Sequence, residues 1–151
     1  MNIAILETGK PPAELIPSFG RYPEMLERLI GIEARTYEVE AGELPADAGA
    51  HDAYLITGSP AGVYDDLPWI PKLEAFLGLA KGRAKLVGIC FGHQIMAQAF
   101  GGHVEKSSKG WAPASIPIRS FDASRGWTMP RSSLRRPRTR TRWCFSRLGP
   151  R

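Results

Sequence analysis

The sequence predicts an α/β protein, a three-layer sandwich around a mostly parallel sheet. Short apolar runs alternate with stretches of helical periodicity from the N-terminus to about residue 118, the pattern of strands joined by crossover helices. The periodic stretches also carry their own start and stop residues. Candidate strands are 2–6, 34–39, 53–57 and 85–89, with a weaker one over 115–118 that Pro117 interrupts. In the first helix Tyr22, Met25, Leu26, Leu29 and Ile30 form one apolar stripe that Gly31 stops. The second has Asp66 as N-cap and Pro68 in its first turn, with Trp69, Ile70, Leu73, Phe76, Leu77 and Ala80 on one side. The third runs from about Gly92 to Phe100, buries Ile95, Met96 and Ala99, and is closed by Gly101-Gly102. In open sheets of this kind ligands collect at the carboxyl ends of the strands. The loops after Leu6, Thr57 and Ile89 are therefore where chemistry is expected.

At 151 residues, 43% apolar and 23% charged, the chain has the size and composition of one soluble globular domain. No apolar run approaches the roughly 20 residues of a membrane span, and the first residues lack the basic start and the length of a signal peptide. A cytoplasmic protein without a membrane partner is expected. Cys90 and Cys144 have no Cys-x-x-Cys partner, so neither a disulfide framework nor a metal site is indicated, and no cofactor is expected.

The net charge of +5 is unevenly placed. Residues 1–109 hold 10 Lys+Arg against 14 Asp+Glu, whereas residues 110–151 hold 10 Arg and a single acid, Asp122. The cluster Arg135, Arg136, Arg138, Arg140 and Arg142 has the charge density to neutralise phosphates. No nucleic-acid fold accompanies it, so nucleic acid is not the expected partner. The expected division is a folded domain over residues 1–118 and an aberrant, Arg-rich, disordered tail over 119–151.

The chemistry centres on Gly88-Ile89-Cys90-Phe91-Gly92. This G-x-C-x-G pattern at a strand-to-helix junction is the nucleophile-elbow arrangement with sulfur in place of oxygen, its glycines permitting a strained turn that lifts the side chain clear. A thiol at a helix N-terminus is favoured as thiolate by the macrodipole and by unpaired N–H donors. The Phe91 N–H is expected to face an oxyanion formed on a carbonyl that Cys90 attacks. The bland alternative is a buried cysteine that merely fits a crowded turn. The loop Thr57-Gly58-Ser59-Pro60-Ala61-Gly62 lies at the same sheet edge, and an N–H there is a candidate second oxyanion donor. It lacks the spacing of a phosphate loop.

Taken together, residues 54–65, 88–94, 100–105 and Lys109-Gly110-Trp111 resemble the class I, or triad, glutamine amidotransferases, with the GMP synthase type of amidotransferase domain as the comparison. The resemblance implies a flavodoxin-like sandwich. It also implies that Cys90 attacks the side-chain amide of glutamine, releasing ammonia for a synthetase partner or another acceptor and leaving a thioester that water cleaves. Carried over by position, Cys90 is the nucleophile, Gly58 and Phe91 offer oxyanion N–H groups, and Gln94 helps hold glutamine. The family's base, a histidine oriented by a glutamate two positions later, has no counterpart. The chain's histidines are His51, His93 and His103, and no acid follows Asp122. His93 matches a variable family position, and His51 and His103 are expected on the surface or in loops. An activity impaired for want of a base is the expectation.

A shift of reading frame between about Arg119 and Arg125 accounts for both the missing base and the Arg-rich end. With synonymous codons chosen to fit, the neighbouring frame under residues 138–151 reads Ser-His-Gln-Asp followed by a Pro-Pro-Gly turn, which resembles the family's sequence. The DNA decides this: the neighbouring frame reads Ser-His-Gln-Asp and, further on, His-x-Glu, or the explanation is wrong. Two rival functions stand beside the amidotransferase. One is another flavodoxin-like cysteine hydrolase, which normally places histidine where Phe91 stands. The other is a non-catalytic interaction protein whose basic tail binds nucleic acid or another acidic partner, with salt-sensitive binding as its mark.

Overall fold

The computed structural model describes residues 1–106. Four strands, β1 (Ile3–Glu7), β2 (Arg35–Glu38), β3 (Ala53–Ile56) and β4 (Lys85–Gly88), form one parallel sheet in the order β2-β1-β3-β4. Around it lie α1 (Ile16–Phe19), α2 (Tyr22–Ile30), α3 (Trp69–Ala80) and α4 (Phe91–Ala99), with a 3-10 turn over Val39–Ala41. The three-layer arrangement is the predicted one. The strand expected over 115–118 and the Arg-rich segment from 119 onward lie outside the described residues. Among the described residues no helix is long and apolar enough to cross a membrane.

Strand alternation divides the core between two faces. Ile3 and Ile5 of β1 with Ala53 and Leu55 of β3 pack under Leu26 of α2 on one side. Ala4, Leu6, Tyr54 and Ile56 face α3 and α4 on the other. Every residue of β1 is buried, as a central parallel strand covered on both faces requires. β4 is different: Val87, and Ile89 just after the strand, are 50% and 42% exposed, while Leu86 on the opposite face packs against the larger core.

The helices match their sequence signals closely, with two corrections. All six apolar residues expected inside α3 are buried, but Pro68, not Asp66, is the N-cap residue and no side chain caps the helix. Asp66 sits two residues too early, and Pro68 itself has helical angles before Trp69. In α2 the stripe is narrower than expected: Leu26 is buried, whereas Leu29 is 79% exposed on a flank that no described element covers. Gly31 ends α2 at φ 69°, and Gly101 follows α4 at φ 91°, as helix-stopping glycines do. The short α1 and the 3-10 turn were not expected; both are too brief to show a period.

His51 is a loop residue with an unexpected burial. Expected on the surface or in a loop, it lies in the loop before β3 but is buried, at the amino end of the sheet, between the rings of Tyr37 and Tyr54. Its Nδ1 shares a hydrogen bond with Asn2 Oδ1 at 2.9 Å and its Nε2 with the Tyr37 hydroxyl at 3.1 Å. Those two partners satisfy the ring that a lone polar residue would otherwise leave unpaired. Burial, and secondarily Arg35, hold the imidazole below its ordinary value, with Asp52 opposing. The unfolded chain therefore binds the proton more readily, so this contribution to stability is whole above the unfolded value of 6.5 and is lost as pH falls through the folded value. Urea midpoints measured near neutrality and at about pH 5.5 are expected to show a drop that shrinks in His51→Gln. An equal drop in the variant would assign it to other groups.

Candidate functional site

The order β2-β1-β3-β4 makes β1 and β3 the place where successive connections leave in opposite directions, α2 to one face and α3 to the other. Such a switch point opens a crevice at the carboxyl ends of its strands. A cleft of about 630 Å³ lies there, lined by Lys10, Pro11 and Tyr22 on one side and Thr57, Gly58 and Cys90 on the other. A shallower hollow at the opposite end of the sheet, bounded by Met1, Asp52 and Arg83, carries none of the predicted site residues.

Cys90 is the N-cap of α4, with φ 51° and ψ −103°, and among the described residues it is the only non-glycine with positive φ. Holding an L-residue there costs of the order of 1–3 kcal/mol, a strain that persists only where the surroundings impose it. The flanking glycines impose it. A Cβ on Gly88 would lie 2.4 Å from the carbonyl carbon of Gly92, and one on Gly92 would lie 2.4 Å from Ile56 O. The Gly92 N–H donates to Thr57 O at 3.2 Å and to Ile89 O at 2.9 Å, fastening the start of α4 to the end of β3. The cysteine that results is exposed, not buried as the bland alternative required.

Three of the other predicted residues surround it. Gly58 is adjacent: a Cβ there would stand 3.8 Å from Cys90 Cβ. The Phe91 side chain is buried against Trp69, ring centroids 5.3 Å apart, which anchors the first residue of α4. Neither the Gly58 nor the Phe91 N–H is taken by a backbone carbonyl among the described residues. Gln94, half-buried, lies one turn on, its N–H donating to Cys90 O at 3.1 Å. His93 is exposed on α4. His103 is exposed, 3.6 Å from Glu105, and His51 is at the far end of the sheet. Among the described residues no three His, Cys, Asp or Glu side chains cluster as metal ligands do.

Sequence reasoning missed the threonines that hold this edge together. Thr8, after β1, and Thr57, after β3, are both buried. The Thr8 N–H donates to Thr57 Oγ1 at 2.9 Å, the Thr8 hydroxyl to Thr57 O at 3.0 Å, and the Thr57 hydroxyl to Gly58 O at 3.1 Å. Gly9 packs on the same loop, where a Cβ would meet Pro60 Cδ at 2.8 Å. The Gly58 peptide is thereby fixed from behind. A polar residue ending each of two neighbouring apolar strands was the available signal. Thr57→Val leaves the Thr8 N–H without its acceptor and is expected to cost about 1–3 kcal/mol. A urea midpoint equal to the parent's would show the network to be dispensable.

Beside the threonines, buried Glu7 accepts from Arg21 Nε at 3.0 Å and also from Arg21 Nη2. Arg21 reaches Glu38 at 2.8 Å, and Glu38 pairs with Lys10 at 3.2 Å. Arg21, and then Lys10, hold the Glu38 carboxyl below its ordinary range, while Glu7 above all pushes the Arg21 guanidinium further up. As the N-cap of α2, with Glu24 returning to its N–H, Arg21 joins that helix to the ends of β1 and β2.

With this geometry in place, comparison with known families is decisive: residues 24–137 match glutamine amidotransferase class-I. The chain belongs to that family. It is 33% identical over 136 residues to a glutamine amidotransferase-like protein of Schizosaccharomyces pombe, an alignment covering 78% of this chain and 55% of the yeast protein. It is 34% identical to gamma-glutamyl peptidase 4 of Arabidopsis thaliana, over 62% of this chain and 39% of the plant protein. To the GMP synthase of Chlorobaculum tepidum it is 33% identical, over 63% and 18% of the two chains. A solved glutamine amido transferase from Methylobacillus flagellatus shares its fold, with TM-score 0.54 and 24% identity over 71% of this chain and 41% of that one. The chain thus spans about half the length, or less, of these relatives.

Proposed function

We propose that this amidotransferase carries the nucleophile and part of the glutamine site of a glutamine-hydrolysing domain. Cys90 Sγ attacks the amide carbon of glutamine, the negative charge on oxygen is met by the N–H groups of Gly58 and Phe91, and Gln94 helps hold the substrate. The C–N bond breaks as the C–S bond forms, and the thiol proton leaves with ammonia. Water then cleaves the thioester to give glutamate and restores the thiol. Ammonia passes to a synthetase partner or another acceptor. The observation that carries this reading is the exposed, positive-φ cysteine beside Gly58 at the switch-point cleft.

The buried position of His51 at the opposite end of the sheet removes it as the base, and no histidine follows His103 in the sequence. Where no other histidine reaches Cys90, turnover is lower than that of a complete triad by the roughly 10² to 10⁴-fold that acid-base catalysis contributes. A chloroketone analogue of glutamine is expected to label Cys90 and to be blocked by free glutamine. Labelling that ignores glutamine overturns the reading. The gamma-glutamyl peptidase relatives support a second one, in which the amide broken is that of a γ-glutamyl compound other than glutamine.

A further inference from the structure

We propose that Arg21 is a positioning residue for the glutamine site: its fork to Glu7 and Glu38 sets where α2 and the end of β1 stand beside Cys90. The inference rests on Cys90 taking glutamine and deepens that reading by naming what holds the cleft in register.

Glu7 and Glu38 are partners in the parallel register of β1 and β2, so two like charges lie side by side on one face of the sheet and repel. Glu7 is also only 2% exposed, where an unpaired carboxylate is costly. The Arg21 guanidinium answers both conditions. Its Nε donates to Glu7 at 3.0 Å, and its Nη2 donates to the other Glu7 oxygen and, at 2.8 Å, to Glu38. Stability alone does not require this arrangement, since well-packed apolar side chains in place of a buried ion pair are often equally stable or more so. What the fork adds is a fixed distance and angle, because its parallel hydrogen bonds are directional.

Each end of the fork leads to the cleft. Arg21 begins α2, and the next residue, Tyr22, lines the cleft, as does Met25 one turn on. That helix buries only Pro23 and Leu26, a small apolar contact that leaves its placement to polar ties. Glu7 ends β1, and the next residue, Thr8, holds Thr57 and Gly58 beside Cys90. Arg21 itself does not line the cleft. It acts through its neighbours, by keeping the start of α2 and the peptide of Gly58 at one separation.

The test compares the parent with Glu7→Leu/Arg21→Met, in which apolar side chains replace the ion pair, and with Arg21→Lys, which keeps the charge without the fork. In the full chain Cys90 is alkylated by iodoacetamide, the rate is read at the Cys90 peptide by mass spectrometry, and L-glutamine is titrated to half-protection. Urea midpoints identify the folded variants. Unprotected rates close to the parent's are expected, with roughly tenfold more glutamine needed for half-protection, as small displacements in a site allow. Half-protection at the parent's concentration in a folded variant overturns the positioning role and leaves the amidotransferase reading standing. Weaker protection with an equal change in the unprotected rate assigns the fork to the fold at large and overturns it too. If the double variant does not fold, Arg21→Lys decides by the same measure. A parent that glutamine does not protect overturns this inference and the reading it rests on together.

Discussion

Replacing Cys90 with glycine is expected to abolish labelling by the glutamine analogue and, at the same time, to make the protein more stable. The cysteine sits at φ 51°, where a side chain strains the backbone by about 1–3 kcal/mol and glycine does not. Glycine gives back some of this, roughly 0.5–1 kcal/mol, through the extra freedom of the unfolded chain. A net gain of about 1 kcal/mol remains, a rise of some 4 °C in melting temperature for a domain of this size. Cys90→Ala separates the two effects, since it removes the sulfur but keeps the Cβ. It should be as unreactive as the glycine variant without the rise. A glycine variant that melts no higher than the alanine variant would mean that the turn stores no strain at this residue. The trade is the one expected where a reactive group is held in an unfavourable conformation for use.

The second large effect belongs to Gly92. An alanine methyl there falls 2.4 Å from Ile56 O and 2.9 Å from Ile56 Cβ, so the clash is with the backbone and Cβ of β3 and cannot be relieved by a flexible side chain. Gly92→Ala must push α4 off the sheet or bend β3, which belongs in the upper part of the overpacking range, about 3 kcal/mol. The same shift displaces Cys90 from Gly58, so alkylation blocked by glutamine should be lost even under conditions where the variant is folded. Gly78→Ala is the control. Gly78 lies inside α3, where an added methyl would find no atom within 4 Å, and alanine there is expected to add about 0.5–1 kcal/mol. Equal urea midpoints for the two variants would show that the close approach at Gly92 is easily accommodated.

What was legible in the sequence, and what was not, follows from the range over which each signal acts. Long periodic stretches gave α2 and α3 almost residue for residue, because the core asks every third or fourth position to be apolar. The glycines around Cys90 announced the elbow, because only residues without a Cβ allow that approach. The Thr8 and Thr57 pair was hidden: two residues 49 positions apart in the chain become partners only once β1 and β3 lie side by side. The burial of His51, a loop residue as expected, was hidden for a related reason. A lone histidine reads as a surface residue until Asn2, Tyr37 and Tyr54 are seen around it. The cleft is the extreme case, since Lys10, Tyr22, Gly58 and Cys90 come from four separate stretches of chain.

The central position of β1 has a bearing on how the protein is made. Its two neighbours, β2 and β3, are complete once residue 56 has been added, so a three-strand platform with α2 on one side can close before the rest of the chain exists. The 34 residues from there to Cys90 take a ribosome roughly 2–7 s at about 5–20 residues per second. The reagent is therefore delivered after its bed has been laid, and the strained turn is wound only when there is a surface to hold it.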